Sequence, residues 1–311
     1  MGAGSLIRIF EVGPRDGLQN EPKQLSLDQK LNLIDGLLRA GLDNIEIGAF
    51  VRADRIPQMA DTDLLFADAR LKRLAREHPA AKFWALVPNE KGLQRAIACG
   101  AKHIAVFGAA TETFVRKNIG MSIDESIGVF AGVVKKAQQA GLEVRGYISV
   151  CWVCPYEGEV APDAVARVVT QMLAMGIVQI SLGDTVGRAH PDRTEELLRK
   201  LLTIAPAQQY AVHFHDTYGM ALANVDRSVR MGISLIDSSV GGLGGCPYAP
   251  GASGNVATED VYTLLEGYSR SGIPVQQLDI QQLLRTAALA RKMTGRALSS
   301  RRIYSNAENA E

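Results

Sequence analysis

Hydrophobic positions along this chain follow two rhythms. Short runs rich in β-branched residues alternate with longer stretches whose apolar residues recur at helical spacing. The short runs predict strands over 6–12, 44–50, 82–87, 103–108, 143–150, 177–183, 210–215 and 235–240. The longer stretches predict helices over 27–40, 62–77, 90–99, 123–140, 163–175, 193–204 and 221–231, with an eighth over 258–270. Gly41, Gly100, Gly141, Gly176 and Gly232 stand where such helices should stop. Six of the seven links between strands carry a helix suited to a parallel crossover. The second link is less regular, around Pro57-Gln58-Met59.

Eight strand–helix units in some 270 residues predict an α/β fold, a (β/α)₈ TIM barrel. A doubly wound open sheet is the runner-up, because periodicity does not say whether a sheet closes. No GxGxxG follows the first strand, so a dinucleotide fold has no positive support. On this reading residues 1–272 form the barrel domain. Residues 273–311 form a C-terminal helical extension packed on it, with a helix over about 276–293 and a polar, fraying tail at Ser305-Asn306-Ala307-Glu308-Asn309.

Composition narrows the class of protein. The 311 residues are 47% hydrophobic and 22% charged, with a formal net charge of +1. That balance suits a globular domain with a sizeable core and gives no reason to expect nucleic acid or an acidic membrane surface. No apolar run approaches a membrane span, and no signal or transit sequence precedes the first strand. Met1-Gly2 opens like a myristoylation site, but Leu6 occupies the place of the required Ser or Thr. Four cysteines do not make a disulfide framework, so a cytoplasmic protein is expected.

Chemistry concentrates at predicted strand ends, where a TIM barrel places its active site. In Ala211-Val212-His213-Phe214-His215-Asp216 the two histidines are two apart on a strand. They therefore point to the same side, half of a metal site; the competing account is a polar strand end. After strand one, Arg15 and Asp16 lie in a glycine-bounded charged loop that runs on through Gln19. Asp16 is a hard oxygen ligand and Arg15 a permanent cation suited to a developing oxyanion. Glu46, flanked by Ile45 and Ile47, should face the barrel interior and need a partner, for which Arg15 is the obvious choice. Strand six ends Ser181-Leu182-Gly183-Asp184, which puts Asp184 at the same rim, either in the site or capping the loop.

After strand eight, residues 241–255 hold six glycines, with Cys246 near the centre and Asn255 at the end. Such a loop suits a lid, and Asn255 offers a carbonyl that a hard cation accepts. Cys151-Trp152-Val153-Cys154 lacks further nearby ligands for zinc and reads as a buried pair without a function. His78, His103 and His190 have no partners at ligand spacing.

The segments Val12–Asn20, Ile56–Asp61, His213–Gly219 and Gly242–Tyr248 together resemble the 3-hydroxy-3-methylglutaryl-CoA lyases of the DRE-TIM metallolyase group. The resemblance runs from about Arg8 to about Arg270. The group signature stands here as Arg15-Asp16-Gly17, the form typical of the lyases. It implies a divalent cation, Mg²⁺ or Mn²⁺, held by Asp16, His213, His215 and Asn255. It also implies Arg15 at the enolate oxygen, Glu46 holding the Arg15 region, Cys246 reactive on the mobile loop, and Gln19, Ser181 and Asp184 about the substrate. The expected activity is cleavage of the acyl-CoA thioester to acetyl-CoA and acetoacetate, as in leucine degradation, by a homodimer. Departures are Gly48-Ala49-Phe50 after the strand-two glutamate, Pro250 where glutamine is common, and the cysteine pair at 151 and 154. The alternatives are a longer-branched 3-hydroxyglutaryl thioester such as the isohexenyl analogue, a condensing synthase, a metal hydrolase and a catalytically silent binding protein.

Overall fold

A computed structural model describes residues 5–245, 254–295 and 297–302 of the chain. Eight parallel strands close into a barrel: β1 (Arg8–Glu11), β2 (Asn44–Ala49), β3 (Lys82–Leu86), β4 (His103–Ala109), β5 (Glu143–Ser149), β6 (Gln179–Asp184), β7 (Tyr210–Phe214) and β8 (Leu235–Ser238). Each strand pairs with the next, and β1 meets β8 in the register Arg8 with Leu235 through Glu11 with Ser238. The sheet therefore closes, which excludes the open doubly wound alternative. A two-residue hairpin, Val153–Cys154 against Gly158–Glu159, stands apart from the barrel.

The helices are α1 (Leu27–Arg39), α2 (Thr62–Ala67), α3 (Ala69–Glu77), α4 (Glu90–Ala98), α5 (Glu112–Ile119), α6 (Ile123–Gln139), α7 (Pro162–Ala174), α8 (Pro191–Leu201), α9 (Ala221–Arg230), α10 (Thr258–Arg270) and α11 (Ile280–Thr294). Reciprocal capping boxes start two of them, Ser26 with Gln29 at α1 and Ser122 with Glu125 at α6. The single helix expected over 62–77 is divided. Asp68 adopts an extended backbone and its carboxylate accepts the Arg70 N–H at 2.7 Å, so it caps a new helix. The extra helix α5 was not expected. It follows β4 directly and lies along the rim of the barrel's upper cavity.

Both faces of each strand are covered, as a parallel sheet requires. Outward residues such as Ile45, Ile47, Leu182, Val212 and Ile236 join Ile34 and Leu37 of α1 in one continuous core. Inside the barrel, Phe10, Trp84, Ala211 and Leu235 form a small separate apolar plug. The guanidinium of Arg145 lies 3.7 Å from the centre of the Phe10 ring, so a polar layer rests on the plug. The side chains above this plug are the ones that matter for chemistry.

After α10 the chain returns beneath the barrel. Val275 bridges Ile7, and the Gln276 side chain accepts the Ile9 N–H at 3.0 Å. Helix α11 then packs across α1. Gly36 permits the contact, because a Cβ there would lie 2.6 Å from Thr286 Oγ1. Substituting Gly36→Leu should wedge the two helices apart and cost about 1–3 kcal/mol. A lower urea midpoint with an unchanged slope is the expected reading, and an unshifted midpoint contradicts this packing.

Candidate active site

The chain turns sharply after β1. The amides of Arg15, Asp16 and Gly17 all converge on the Val12 carbonyl in a π-helical turn over Gly13–Gly17. A Cβ on Gly17 would stand 2.7 Å from Ser239 Oγ and 2.8 Å from Leu243 Cβ. Glycine in the third place of the Arg-Asp-Gly triplet thus lets this turn press against the start of the glycine-rich loop. The turn lifts Arg15 and Asp16 over the barrel mouth.

On β7, Ala211 and His213 share the inner face, and His215 follows at the strand's upper end. One ligand atom each from Asp16, His213 and His215 lies within 4.8 Å of the others. His213 Nε2 is 3.9 Å from Asp16 Oδ2. Asn255, paired to His215 by an isolated bridge, donates its amide nitrogen to the same Asp16 oxygen at 2.9 Å and to the Leu243 carbonyl at 3.2 Å. These four residues come from β1, β7 and the far side of the glycine loop.

The set fits a divalent cation. His215 Nδ1 is buried and has no hydrogen-bond partner, so a lone pair or N–H there is unanswered by protein. Burial, reinforced by His213, lowers the His215 pKa to about 4, which leaves its ring neutral and able to ligate. Burial would raise the Asp16 carboxyl, but Arg15, then His213, His215 and the Asn255 bond together hold it well below the usual carboxylate range. One carboxylate oxygen and two imidazole nitrogens suit a hard to borderline divalent ion with open positions.

Arg15 is fixed from both sides. Its Nε donates to Glu46 Oε2 at 2.5 Å and one terminal nitrogen donates to Asp16 Oδ1 at 2.7 Å. Burial opposes its charge, yet Glu46 and Asp16 outweigh burial and hold the guanidinium protonated. Tyr147 donates its hydroxyl to Glu46 Oε2 at 3.1 Å and accepts from Arg145 at 3.2 Å. Arg145 in turn donates to Asp237 Oδ1 at 2.6 Å, and Asp237 Oδ2 stands 3.4 Å from His213 Nδ1. A closed ring of contacts therefore runs from Asp16 through Arg15, Glu46, Tyr147, Arg145 and Asp237 to His213 and back.

A cavity of about 370 Å³ opens above this ring. Its polar lining includes Arg15, Asp16, Gln19, Thr185, His213 and His215, and its apolar lining Val51, Ile56, Leu86, Phe107, Phe114 and Ile119. The Gln19 Oε1 is buried without a partner beside it. Lys30, almost wholly buried, holds the Gln58 carbonyl and the Asp61 carboxylate, while Gln58 accepts the Leu25 N–H at 3.0 Å. That clamp orders the irregular loop after β2, which carries Val51 and Ile56 to the cavity wall.

Two expected substrate residues lie elsewhere. Ser181 is fully buried beneath the cavity and donates to Asp237 Oδ2 at 2.7 Å. Asp184 accepts the amides of Gly187, Arg188 and Ala189 at 2.9–3.1 Å, so it caps the loop after β6 and its oxygens are spent on backbone. Neither lines the cavity. Cys246 falls outside the described residues. Cys151 donates to the Ile148 carbonyl at 3.1 Å and Cys154 accepts from Thr111 at 3.2 Å, each engaged with its own surroundings.

Tyr147, Arg145 and Asp237 were not expected from the sequence. The signal was present: Arg145 and Asp237 are charges inside apolar strands, the same anomaly that singled out Glu46. Two further buried carboxylates flank the start of the glycine loop. Glu11 accepts the amides of Gly13 and Val240 and the Thr258 hydroxyl, and Glu259 accepts the Gly241 amide. Both are fully buried where the glycine loop departs.

A closed parallel barrel with a carboxylate–imidazole cluster and a buried arginine at its C-terminal mouth defines a metal-dependent TIM-barrel enzyme. The chain belongs to the HMGL-like family, whose model matches residues 6–290. It is 44% identical over 299 residues to hydroxymethylglutaryl-CoA lyase of Pseudomonas mevalonii, covering 95% of this chain and 97% of that one. The crystal structure of hydroxymethylglutaryl-CoA lyase from Pseudomonas aeruginosa matches with a TM-score of 0.93 at 42% identity, covering 99% and 100% of the two chains. An HMG-CoA lyase from Acinetobacter baumannii, in complex with coenzyme A and 3-methylmalate, matches at 0.87 and 33% identity, covering 95% and 93%. Among the described residues no helix is long and apolar enough to cross a membrane.

Burial pushes Glu11 up to about 7 and Glu259 up to about 8, from ordinary values of 4.5. Between the unfolded and folded values the native state binds more protons than the unfolded chain. Their contribution to stability is therefore full below about pH 4.5 and is lost as pH rises through 7 and 8. Glu259→Gln should flatten the fall in Tm between about pH 4.5 and pH 8. An equally steep fall in the variant contradicts this assignment.

Proposed function

We propose that this barrel cleaves 3-hydroxy-3-methylglutaryl-CoA to acetyl-CoA and acetoacetate, with Mg²⁺ or Mn²⁺ held by Asp16, His213, His215 and Asn255. The observation that carries the reading is a guanidinium fixed beside an oxygen–imidazole cluster in a single cavity. The relatives named above are lyases for this thioester, which favours it over longer-branched analogues and favours cleavage over condensation. Asn255 joins the ligands once its amide turns to offer oxygen, a rotation that exchanges two atoms of similar size.

When bound, the cation supplies Lewis acidity that makes the substrate's tertiary hydroxyl easier to ionise. Asp16 receives the hydroxyl proton. The C2–C3 bond then breaks, its electron pair moving toward the thioester carbonyl as C3 becomes the ketone of acetoacetate. Arg15 meets the negative charge growing on that thioester oxygen, already aligned by Glu46 and so without reorganisation during the reaction. Cys246 gives the proton that C2 needs to complete acetyl-CoA. Gln19 orients the acyl end from the cavity's polar lining. The apolar lining takes the substrate's hydrocarbon parts. We further propose a homodimer, its assembly measurable by light scattering.

Acetoacetate release from the thioester, assayed with and without Mg²⁺, tests this directly. Asp16→Asn and His213→Ala should each lower kcat by about 10³ or more while the circular dichroism stays native. Full activity in either folded variant contradicts the assigned site.

A further inference from the structure

We propose that Asp237 and Arg145 are positioning residues for the metal ligand His213, fixing the ring tautomer that turns Nε2 toward the cation. The inference rests on the metal reading above and adds the residues that make one ligand competent before any ion arrives.

An imidazole carries one proton on two nitrogens, and only the bare nitrogen can ligate. His213 offers Nε2 to Asp16 and His215, so the proton must sit on Nδ1. Nδ1 faces Asp237 Oδ2 at 3.4 Å. Asp237 is completely buried, and its other oxygen is ion-paired to Arg145 at 2.6 Å. A carboxylate held this way only accepts, so it selects the Nδ1–H form. The 3.4 Å separation is long for an N–H···O bond, and the negative charge of Asp237 supplies more of the orienting force than the bond itself.

Arg145 locks the carboxylate in place. It is fully buried, stacks on Phe10 at 3.7 Å and on Tyr147 at 4.8 Å, and has no freedom to follow a moving partner. Ser181 completes the cradle by donating to the same Asp237 oxygen that faces His213. This gives Ser181 a place in the site that is not contact with substrate. Tyr147 meets the His213 ring edge-on, with centroids 6.4 Å apart, and restrains its rotation. The arrangement spans the barrel from β5 to β8, the strand that pairs with β1 below the turn carrying Asp16.

The test uses two readouts that do not require turnover. In the metal-free wild-type protein, nitrogen-15 NMR of the imidazoles should show His213 protonated on Nδ1. In Asp237→Asn, Arg145 retains the amide oxygen, the amide nitrogen faces His213, and the proton should move to Nε2. Mn²⁺ titration followed by EPR of the free ion should then show a Kd raised about 10- to 100-fold in Asp237→Asn. An Nε2–H tautomer in the wild type overturns the proposal, and needs no variant to fold. A natively folded Asp237→Asn that binds Mn²⁺ within about twofold of wild type also overturns it, being well short of the loss expected when such a partner is removed. His213→Ala separates the two layers of the argument. Unchanged Mn²⁺ binding in that variant strikes the metal reading itself, whereas lost binding there with retained binding in Asp237→Asn strikes only the positioning role.

Discussion

A charge inside a barrel survives only beside an opposite charge, and here that requirement links every important side chain. Arg15 lies between Glu46 and Asp16, and Arg145 between Asp237 and the Tyr147 hydroxyl. Neither pair is remarkable as a source of stability, since desolvation of buried ions consumes most of their attraction. Their value is geometric. Removing one member leaves its partner buried and unpaired, so each side chain has a single well-defined position. A site that must meet charge as it develops depends on groups already in place.

Beneath the ring lies an apolar plug, and above it lies a cavity lined by both polar and apolar side chains. The strands determine which residues reach inward. The loops determine how far the cavity extends, and three of them are held by buried ionisable groups. Lys30 secures the loop after β2, Asp184 the loop after β6, and Glu11 with Glu259 the start of the glycine loop. The residues 297–302 add a further hold there, with Leu298 packed on Gly241 and the Ser299 amide bonded to its carbonyl at 3.1 Å. The segment Ile56–Asp61, one of those that carry the family resemblance, is in part a clamp of this kind.

Much of this was legible beforehand because periodicity reports burial. Eight apolar runs with helices between them predict the strands, and an isolated Glu46 among isoleucines predicts an inward charge and its arginine partner. The helix break at Asp68 was not legible, since Asp fits both a helix surface and a helix cap and only tertiary packing decides. Short α5 was missed because eight residues give too few turns for a clear amphipathic pattern. Asp184 was legible as a rim residue that either joins the site or caps the loop, and the structure shows the cap, while Ser181 faces Asp237 instead of the cavity. A strand fixes a residue's height and face, while the loop it borders determines whether its oxygens are spent on backbone.

The central claim is that two imidazoles from one strand and a carboxylate from another hold one divalent cation. Electron spin-echo envelope modulation on the Mn²⁺-loaded protein reads this directly, because directly bound imidazole nitrogens modulate the echo. The account predicts modulation from two such nitrogens, one of them lost in His215→Ala. A spectrum without nitrogen coupling in the wild-type protein would contradict it.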